Sequence, residues 1–340
     1  MGIFSKKQDI QVSVCIPVYN TERKLLRCLE SAASQRLDGL ELVVVDDCSP
    51  GTDDTGHTCG QLVKQFRRTT HVPVTYVRHS SNKGVLEARR TAVLESHGRS
   101  IAMLDSDDMF LDGALSALYR RADETGADIV QGGMEVWCGD EPDDVLCLRA
   151  ARIQQTANRM YDGVLDGDQI FKGFLVESNQ IGFVTGKLIS RELYLQAFSQ
   201  IPPLYCVMAD DLLLYFFISY YAARYASVPC AVIRYDITEG ISSASAITDL
   251  HRWEQVCSAS GVFTVLYSWL KDMQQAGGSP VLTQQERAAL DCQCRSYLLN
   301  NLQQLQKYVV PELQDQAHEL LCSYWGADFV QKVEQAAAAL

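Results

Sequence analysis

The sequence has no C-x-x-C pair, no G-x-x-x-x-G-K-[ST] loop, no G-x-G-x-x-G after its first apolar run and no detectable internal repeat. Without paired cysteine ligands, a structural zinc site is not expected. The missing loops exclude a P-loop nucleotidase and leave a nicotinamide-binding Rossmann unit poorly supported. Basic residues are also short, 30 Lys and Arg against 42 Asp and Glu, for a net charge of −12. That balance argues against nucleic acid as a partner and, more weakly, against an anionic lipid surface. Long apolar runs are absent too. The most apolar stretch, Leu212 to Ala223, is bounded by Asp210, Asp211 and Arg224. A membrane span needs about twenty such residues, so a buried core helix is the expectation. Met1 to Asp9 is mostly polar, without the apolar core of a signal peptide.

What is present is ordinary for a globular protein: 340 residues, 47% hydrophobic and 21% charged. The length fits one large or two ordinary domains and can bury a core without disulfide staples. Of the twelve cysteines only Cys292 and Cys294 lie close together. Cys15, Cys206 and Cys230 have apolar neighbours and read as small buried hydrophobes in a reducing compartment.

The first 135 residues alternate short apolar runs with helical patterns. Val12–Val18, Leu40–Val45, Val74–Val77, Ile101–Leu104 and Asp128–Val130 read as strands buried on both faces. Between them, Asn20 and Thr21 can cap a helix bearing Leu25, Leu29 and Ala32. Lys83–Ser96 and Leu111–Glu124 are two further helices. This alternation predicts an α/β fold with a mostly parallel sheet flanked by helices. From 140 to 240 the pattern is irregular: an acidic turn at Glu141–Asp144, a strand running into a helix over Gly182–Tyr194, and a break at Pro202–Pro203. From 246 to 340 the composition is helical, with a linker at Gly277–Pro280, a capping box at Thr283 and Glu286, and a helix start at Pro311.

In an open parallel sheet, ligands bind beyond the carboxyl ends of the strands. The residues there are Pro17–Thr21, Asp46–Ser49 and Asp105–Asp108. Three carboxylates within Asp105-Ser106-Asp107-Asp108 repel one another unless a cation offsets them. A hard divalent ion, Mg²⁺ or Mn²⁺, accepts one or two carboxylates and completes its shell with phosphates and water. An isolated acidic triplet would be read as a solvated turn; its place directly after an apolar strand reverses that preference.

These residues resemble glycosyltransferase family 2. Ser13-Val14-Cys15-Ile16-Pro17-Val18-Tyr19-Asn20 is similar to the opening strand and P-x-Y-N signature, and Glu41–Ser49 to the second strand and D-D-x-S turn. Asn82-Lys83-Gly84 with Ala88-Arg89 is similar to N-x-G…A-R, and Leu104–Asp108 to the D-x-D-D metal motif. More weakly, Gly186–Leu193 resembles K-L-x-x-R-x-L. Ala209-Asp210-Asp211-Leu212 resembles an E-D acceptor-side motif, and Glu239–Ser242 a segment ending in G-S-I-S. Three departures stand out: Arg90 where Asn is usual, His97 where a small residue is common, and Asp210 where Glu is usual.

The resemblance implies a GT-A fold over 1–245, with a nucleotide-sugar half (1–135) and an acceptor half (136–245), followed by a helical region (246–340). It implies an inverting, metal-dependent transfer from a nucleotide-diphosphate sugar, UDP-linked by expectation, to a hydroxyl of a glycan or lipid-linked acceptor in cell-surface polysaccharide synthesis. Asp46 would meet the base, with Pro17 and Tyr19 beside it; Asn20, Asp47 and Ser106 would complete the nucleotide-sugar site, with Asp105 near the ribose or a metal-bound water. Lys83 and Arg89 would support the diphosphate or base, Asp107 with Asp105 the metal, and Asp211, seconded by Asp210, would be the general base. For Asp211 the competing role is a helix cap. His251 is the one plausible further metal ligand, although a surface histidine is the expected reading. The C-terminal helices are expected to pack on themselves, with a homo-dimer as the alternative. The expected location is cytoplasmic, free or at the inner membrane face. A non-catalytic sugar-nucleotide-binding module and a nucleotidyltransferase are the competing functions.

Overall fold

The computed structural model describes residues 9–238, 246–277 and 281–338. The order is β1 (Val12–Val18), α1 (Glu22–Ala33), β2 (Leu40–Asp46), α2 (Cys59–Phe66), β3 (Val74–Arg78), α3 (Val85–Glu95), β4 (Ser100–Met103), β5 (Met109–Phe110), α4 (Ala114–Thr125), β6 (Ile129–Trp137) and α5 (Asp144–Ala157). There follow β7 (Val164–Asp166), α6 (Asp168–Leu175), β8 (Lys187–Ser190), α7 (Arg191–Gln200), α8 (Asp210–Tyr221), β9 (Arg224–Asp236), α9 (Leu250–Cys257), α10 (Ala259–Gly277), α11 (Gln284–Tyr308), α12 (Gln314–Trp325) and α13 (Ala327–Ala338).

The strands form one sheet in the order β3-β2-β1-β4-β8-β6-β9-β5, with β7 on β9. The continuous apolar runs of β1 and β2 are buried along their whole length, as strands covered by helices on both faces must be. β3, β2, β1 and β4 are parallel, as the alternation predicts. Beyond β4 the sheet is mixed: β8 runs antiparallel to β4 and β6, whereas β6 and β9 are parallel. β8 follows α6 yet runs antiparallel to both its neighbours, so strand-helix alternation did not reveal its direction.

Two apolar layers cover the sheet. One contains Leu25, Leu29, Leu62 and Leu115 from helices α1, α2 and α4. The other gathers α3, α6, α7 and α8 and extends without interruption into the tail through Val262, Leu266, Trp269, Leu270 and Leu290. Leu212–Ala222 lies in this second core, and only the last residue of the apolar stretch, Ala223, is exposed: Phe216, Phe217 and Tyr220 meet Trp269 edge-to-face at 5.9, 5.1 and 5.2 Å between ring centres, a favoured aromatic geometry. A third cluster lies wholly within the tail, around Trp253, Leu298, Leu302 and Leu321. The apolar faces of the tail thus bury against the chain itself.

The capping box at Thr283 and Glu286 is formed. Pro311 opens a 3₁₀ turn leading into α12. All twelve cysteines are free; Cys15 and Cys206 are buried, but Cys230 is exposed. There β9 carries Pro229, and its register against β6 shifts, turning Cys230 outward. No helix among the described residues is long and apolar enough to cross a membrane. The segment Glu239–Ser242 and the linker residues 278–280 lie outside the described residues.

Candidate active site

Strand register brings the candidate residues to one edge. Val18 pairs with Asp46 and Asp46 with Arg78, while Leu104 donates its N–H to the Cys15 carbonyl at 3.0 Å. The turns just beyond these ends are tight. Asn20 (φ 56°), Cys48 (φ 63°) and Ala209 (φ 66°) adopt left-handed backbone, a conformation that costs energy for non-glycine residues and gathers at functional sites.

The first aspartate pair is buried and occupied. Asp46 Oδ2 accepts from Tyr76 Oη at 2.8 Å and Arg78 Nη1 at 2.5 Å, and its Oδ1 accepts from the Ser49 N–H at 2.7 Å. Asp47 accepts from the backbone N–H groups of Lys83 (2.9 Å) and Gly84 (2.8 Å) and is bonded to His79 Nδ1 at 2.6 Å. Its carboxylate therefore folds the Asn82-Lys83-Gly84 turn. Gly84 (φ 87°) also lets the chain before Asp210 approach: a Cβ there would sit 3.0 Å from the Cys206 carbonyl oxygen. Tyr76, Arg78 and His79 went unnoticed in the sequence because β3 carries no motif.

On the same edge, Tyr19 is 46% exposed, Asn20 is exposed and its N–H meets Ser49 Oγ at 3.2 Å, and Pro17 is buried inside β1. Thr21 occupies the N-cap of α1, but its hydroxyl makes no cap bond; it meets Ser106 Oγ at 2.6 Å. The P-x-Y-N and D-x-D-D turns are thereby joined. Lys83 is exposed at the rim.

The second aspartate pair opens α8. Ala209 holds its N-cap position and no side chain caps it, so Asp210 and Asp211 are not caps. They face Arg89 from α3, a buried guanidinium that donates through Nη1 to Asp210 Oδ2 and to Asp211 Oδ1 (2.7 Å), and through Nη2 to Asp105 Oδ1 (2.9 Å). Arg89, expected at the diphosphate, thus gathers three carboxylates from two halves of the chain. Burial opposes its charge, but Asp210, Asp211 and Asp105 outweigh that and hold it protonated. Burial pushes Asp210 up to about 7 against the pull of Arg89. Asp211 is raised for the same reason, and is more open, 26% exposed against 10%. Its Oδ1 also accepts the Val184 N–H at 3.3 Å. Beneath it Lys187 is buried, its Nζ on the carbonyls of Ile181 (2.8 Å) and Phe183 (2.5 Å) and over the Tyr215 ring. Burial lowers Lys187 to about 7.

The departure at position 90 has a structural role. Arg90 donates to the carbonyls of Phe198 (2.8 Å), Ile201 (3.0 Å) and Pro202 (3.3 Å). It ties α3 to the loop leading into Asp210. From the tail, Ser258 Oγ accepts the N–H groups of Val207 and Met208 in that loop, both at 3.3 Å.

The chemistry of the Asp105–Asp108 turn fits a hard cation. Asp108 is buried, with Oδ1 on the Asp236 N–H at 2.9 Å and Oδ2 without a partner among the described residues. Burial, then the neighbouring Asp107 charge, raises Asp108 far above the usual carboxylate range. Burial, then Asp105, pushes Asp107 up to about 6. No three His, Cys, Asp or Glu side chains among the described residues form a ready protein cage. Asp236, bonded to Lys24 and Arg27, closes the turn from β9. His251 lies on α9, 74% exposed and 4.0 Å from Glu254, away from any such set.

A mixed sheet ending in paired carboxylates, bridged to an acidic helix start, defines an α/β protein with one polar, acidic site at its strand ends. The family profile of Glycosyl transferase family 2 matches residues 13–182, half of the chain, and the protein belongs to that family. The glycosyltransferase GlyG of Streptococcus pneumoniae serotype 4 is 30% identical over 195 residues, covering 54% of this chain and 58% of that protein. The chondroitin synthase of Escherichia coli is 39% identical over 97 residues, 28% of this chain and 13% of that one. The chain thus matches little more than half the length of the first relative and far less of the second. Among solved structures, S. aureus TarS 1–349 in complex with UDP-GlcNAc superimposes with a TM-score of 0.55 at 18% identity, covering 97% of this chain and 92% of that one. That likeness is one of fold, and it includes the helical tail.

Proposed function

We propose that the protein is an inverting, metal-dependent glycosyltransferase that moves a sugar from a UDP-sugar to a hydroxyl of a glycan or lipid-linked acceptor. The observation that carries this reading is the single buried guanidinium of Arg89, which fixes Asp105 from the strand-end turn beside Asp210 and Asp211 of the acceptor side. The uridine-diphosphate complexes solved for TarS support the donor class.

Asp211 is the general base. Both of its described hydrogen bonds fall on Oδ1, which leaves Oδ2 for the acceptor hydroxyl. Burial makes the carboxylate a stronger base, and Arg89 keeps it ionised. The acceptor oxygen forms its bond to the anomeric carbon from the face opposite the diphosphate. Its proton passes to Asp211, and the bond to the diphosphate breaks, so configuration inverts. Asp210, more buried, positions Arg89. Asp46 and Asp47 shape the nucleotide cleft through Arg78, Tyr76 and the Lys83–Gly84 turn, with Tyr19 and Lys83 exposed at its rim. A divalent ion held by Asp107 and Asp105 would offset the charge of the departing diphosphate. A lipid-linked acceptor would be met at the inner face of a membrane.

The test is a screen of nucleotide sugars by thermal shift and by hydrolysis, with and without Mn²⁺. Binding of none in either condition overturns the proposal. Asp211→Asn should lose roughly 10²–10⁴ in turnover while binding donor normally. Full turnover in that variant removes Asp211 as base. Asp107→Ala should abolish the metal dependence of UDP binding. Binding with no turnover on any acceptor would favour the non-catalytic module.

A further inference from the structure

The tail contains a cavity of about 300 Å³ between α10, α11, α12 and α13, apart from the strand-end carboxylates. That volume is at the lower end of small-ligand sites. Its wall is aromatic. Phe263 and Trp325 pack with ring centres 5.8 Å apart, and Trp325 meets Phe329 at 6.3 Å. Its mouth is polar: Tyr267 donates from Oη to Asp291 Oδ1 at 2.7 Å. Arg295 is exposed there, with no ion pair among the described residues. Ring faces beside a carboxylate and an uncommitted guanidinium match a pyranose, whose C–H face is apolar and whose rim is hydroxyls.

The helix that lines the cavity also reaches the loop before Asp210. Phe263 packs on Tyr297 at 5.5 Å between ring centres, and a Cβ on Gly261 of the same helix, α10, would lie 3.3 Å from Leu204 in that loop.

We propose that this cavity is a glycan subsite that holds a pyranose unit of the acceptor, remote from the reacting hydroxyl. This deepens the glycosyltransferase reading and rests on it for the word acceptor; the binding of a sugar ring here does not depend on it. The subsite gives the tail a share in acceptor selection.

The experiment is saturation-transfer NMR on the full chain with methyl β-glucopyranoside, methyl β-galactopyranoside and methyl β-glucuronide, with UDP titrated in parallel. At least one glycoside should bind, weakly, with transfer concentrated on its ring protons. Arg295→Ala and the cavity-filling Thr264→Tyr, both at exposed positions, should each weaken it about tenfold and leave UDP affinity within twofold. Trp325→Ala should abolish it, but its indole Nε1 also donates to Asn301 Oδ1 at 3.0 Å, so the two rim variants decide if it fails to fold. No transfer from any of the three glycosides overturns the proposal, as does binding that neither rim variant alters. Loss of UDP binding with glycoside binding intact would strike the donor reading and spare the cavity.

Discussion

Asp46–Asp47 and Asp210–Asp211 are both adjacent aspartate pairs at the mouth of one sheet, but the chain satisfies them differently. The first pair is held mainly by nearby backbone and by β3: the N–H groups of Ser49, Lys83 and Gly84, with Tyr76, Arg78 and His79. Nearly all of its acceptor capacity is spent on shape. The second pair has one backbone donor, Val184, and one shared guanidinium from α3. Its ionisation is opposed by burial and one oxygen of Asp211 is left uncommitted. A carboxylate spent on hydrogen bonds builds a pocket; one held by a distant charge remains basic. The contrast divides residues 1–135, whose aspartate pair is fixed locally, from residues 136–245, whose pair is fixed across the fold.

The harshest way to break this contrast is Arg89→Met. Three carboxylates would lose their common cation, and leaving buried charge unpaired costs about 3–5 kcal/mol. Urea unfolding should register that loss, and turnover should vanish. Adding Asp210→Asn should restore part of the stability, and a failure to do so would mean that Arg89 acts through something other than charge.

Asp47→Ala should be milder, costing about 1–3 kcal/mol for the unsatisfied N–H groups. It should weaken UDP binding more than it slows the chemical step, because it loosens the Lys83–Gly84 turn. An unchanged Kd for UDP would deny the first pair its architectural role.

A subtler probe concerns Lys187, beneath Asp211. Burial lowers its folded pKa to about 7, while in the unfolded chain a lysine titrates near 10.4. Between those values the unfolded state binds the extra proton, so the Lys187 contribution to stability rises from about pH 7 towards pH 10. Over that range the Tm of the native protein should climb relative to that of Lys187→Met. A constant difference would show that the ammonium stays charged on its two carbonyls.

The smallest effect belongs to the tail. Thr283→Ala removes a capping box and should cost about 1 kcal/mol without changing UDP affinity.

Strand-helix alternation placed β1 to β4 and their turns because both-face burial writes continuous apolar runs, and because tight turns at strand ends demand particular residue types. Lys187 stood in a segment resembling K-L-x-x-R-x-L, yet nothing there announced a buried lysine. The three-carboxylate grip of Arg89 was invisible for the same reason: its partners lie 16, 121 and 122 residues away. Arg90 looked like an anomaly until its carbonyl partners on the approach to Asp210 were in place.

What the sequence by itself determined is the parallel half-sheet, the acidic strand ends, the family and the buried character of Leu212–Ala222. These are local patterns, continuous apolar runs or helical spacing of three to four residues, or motifs set by a single turn. Only the tertiary structure decided the mixed half of the sheet, the bridge through Arg89, the merging of the tail with the second core and the aromatic cavity within it. Each of those depends on side chains far apart in the chain sharing one desolvated space, and burial there, rather than residue type, sets how strongly each carboxylate's ionisation is opposed.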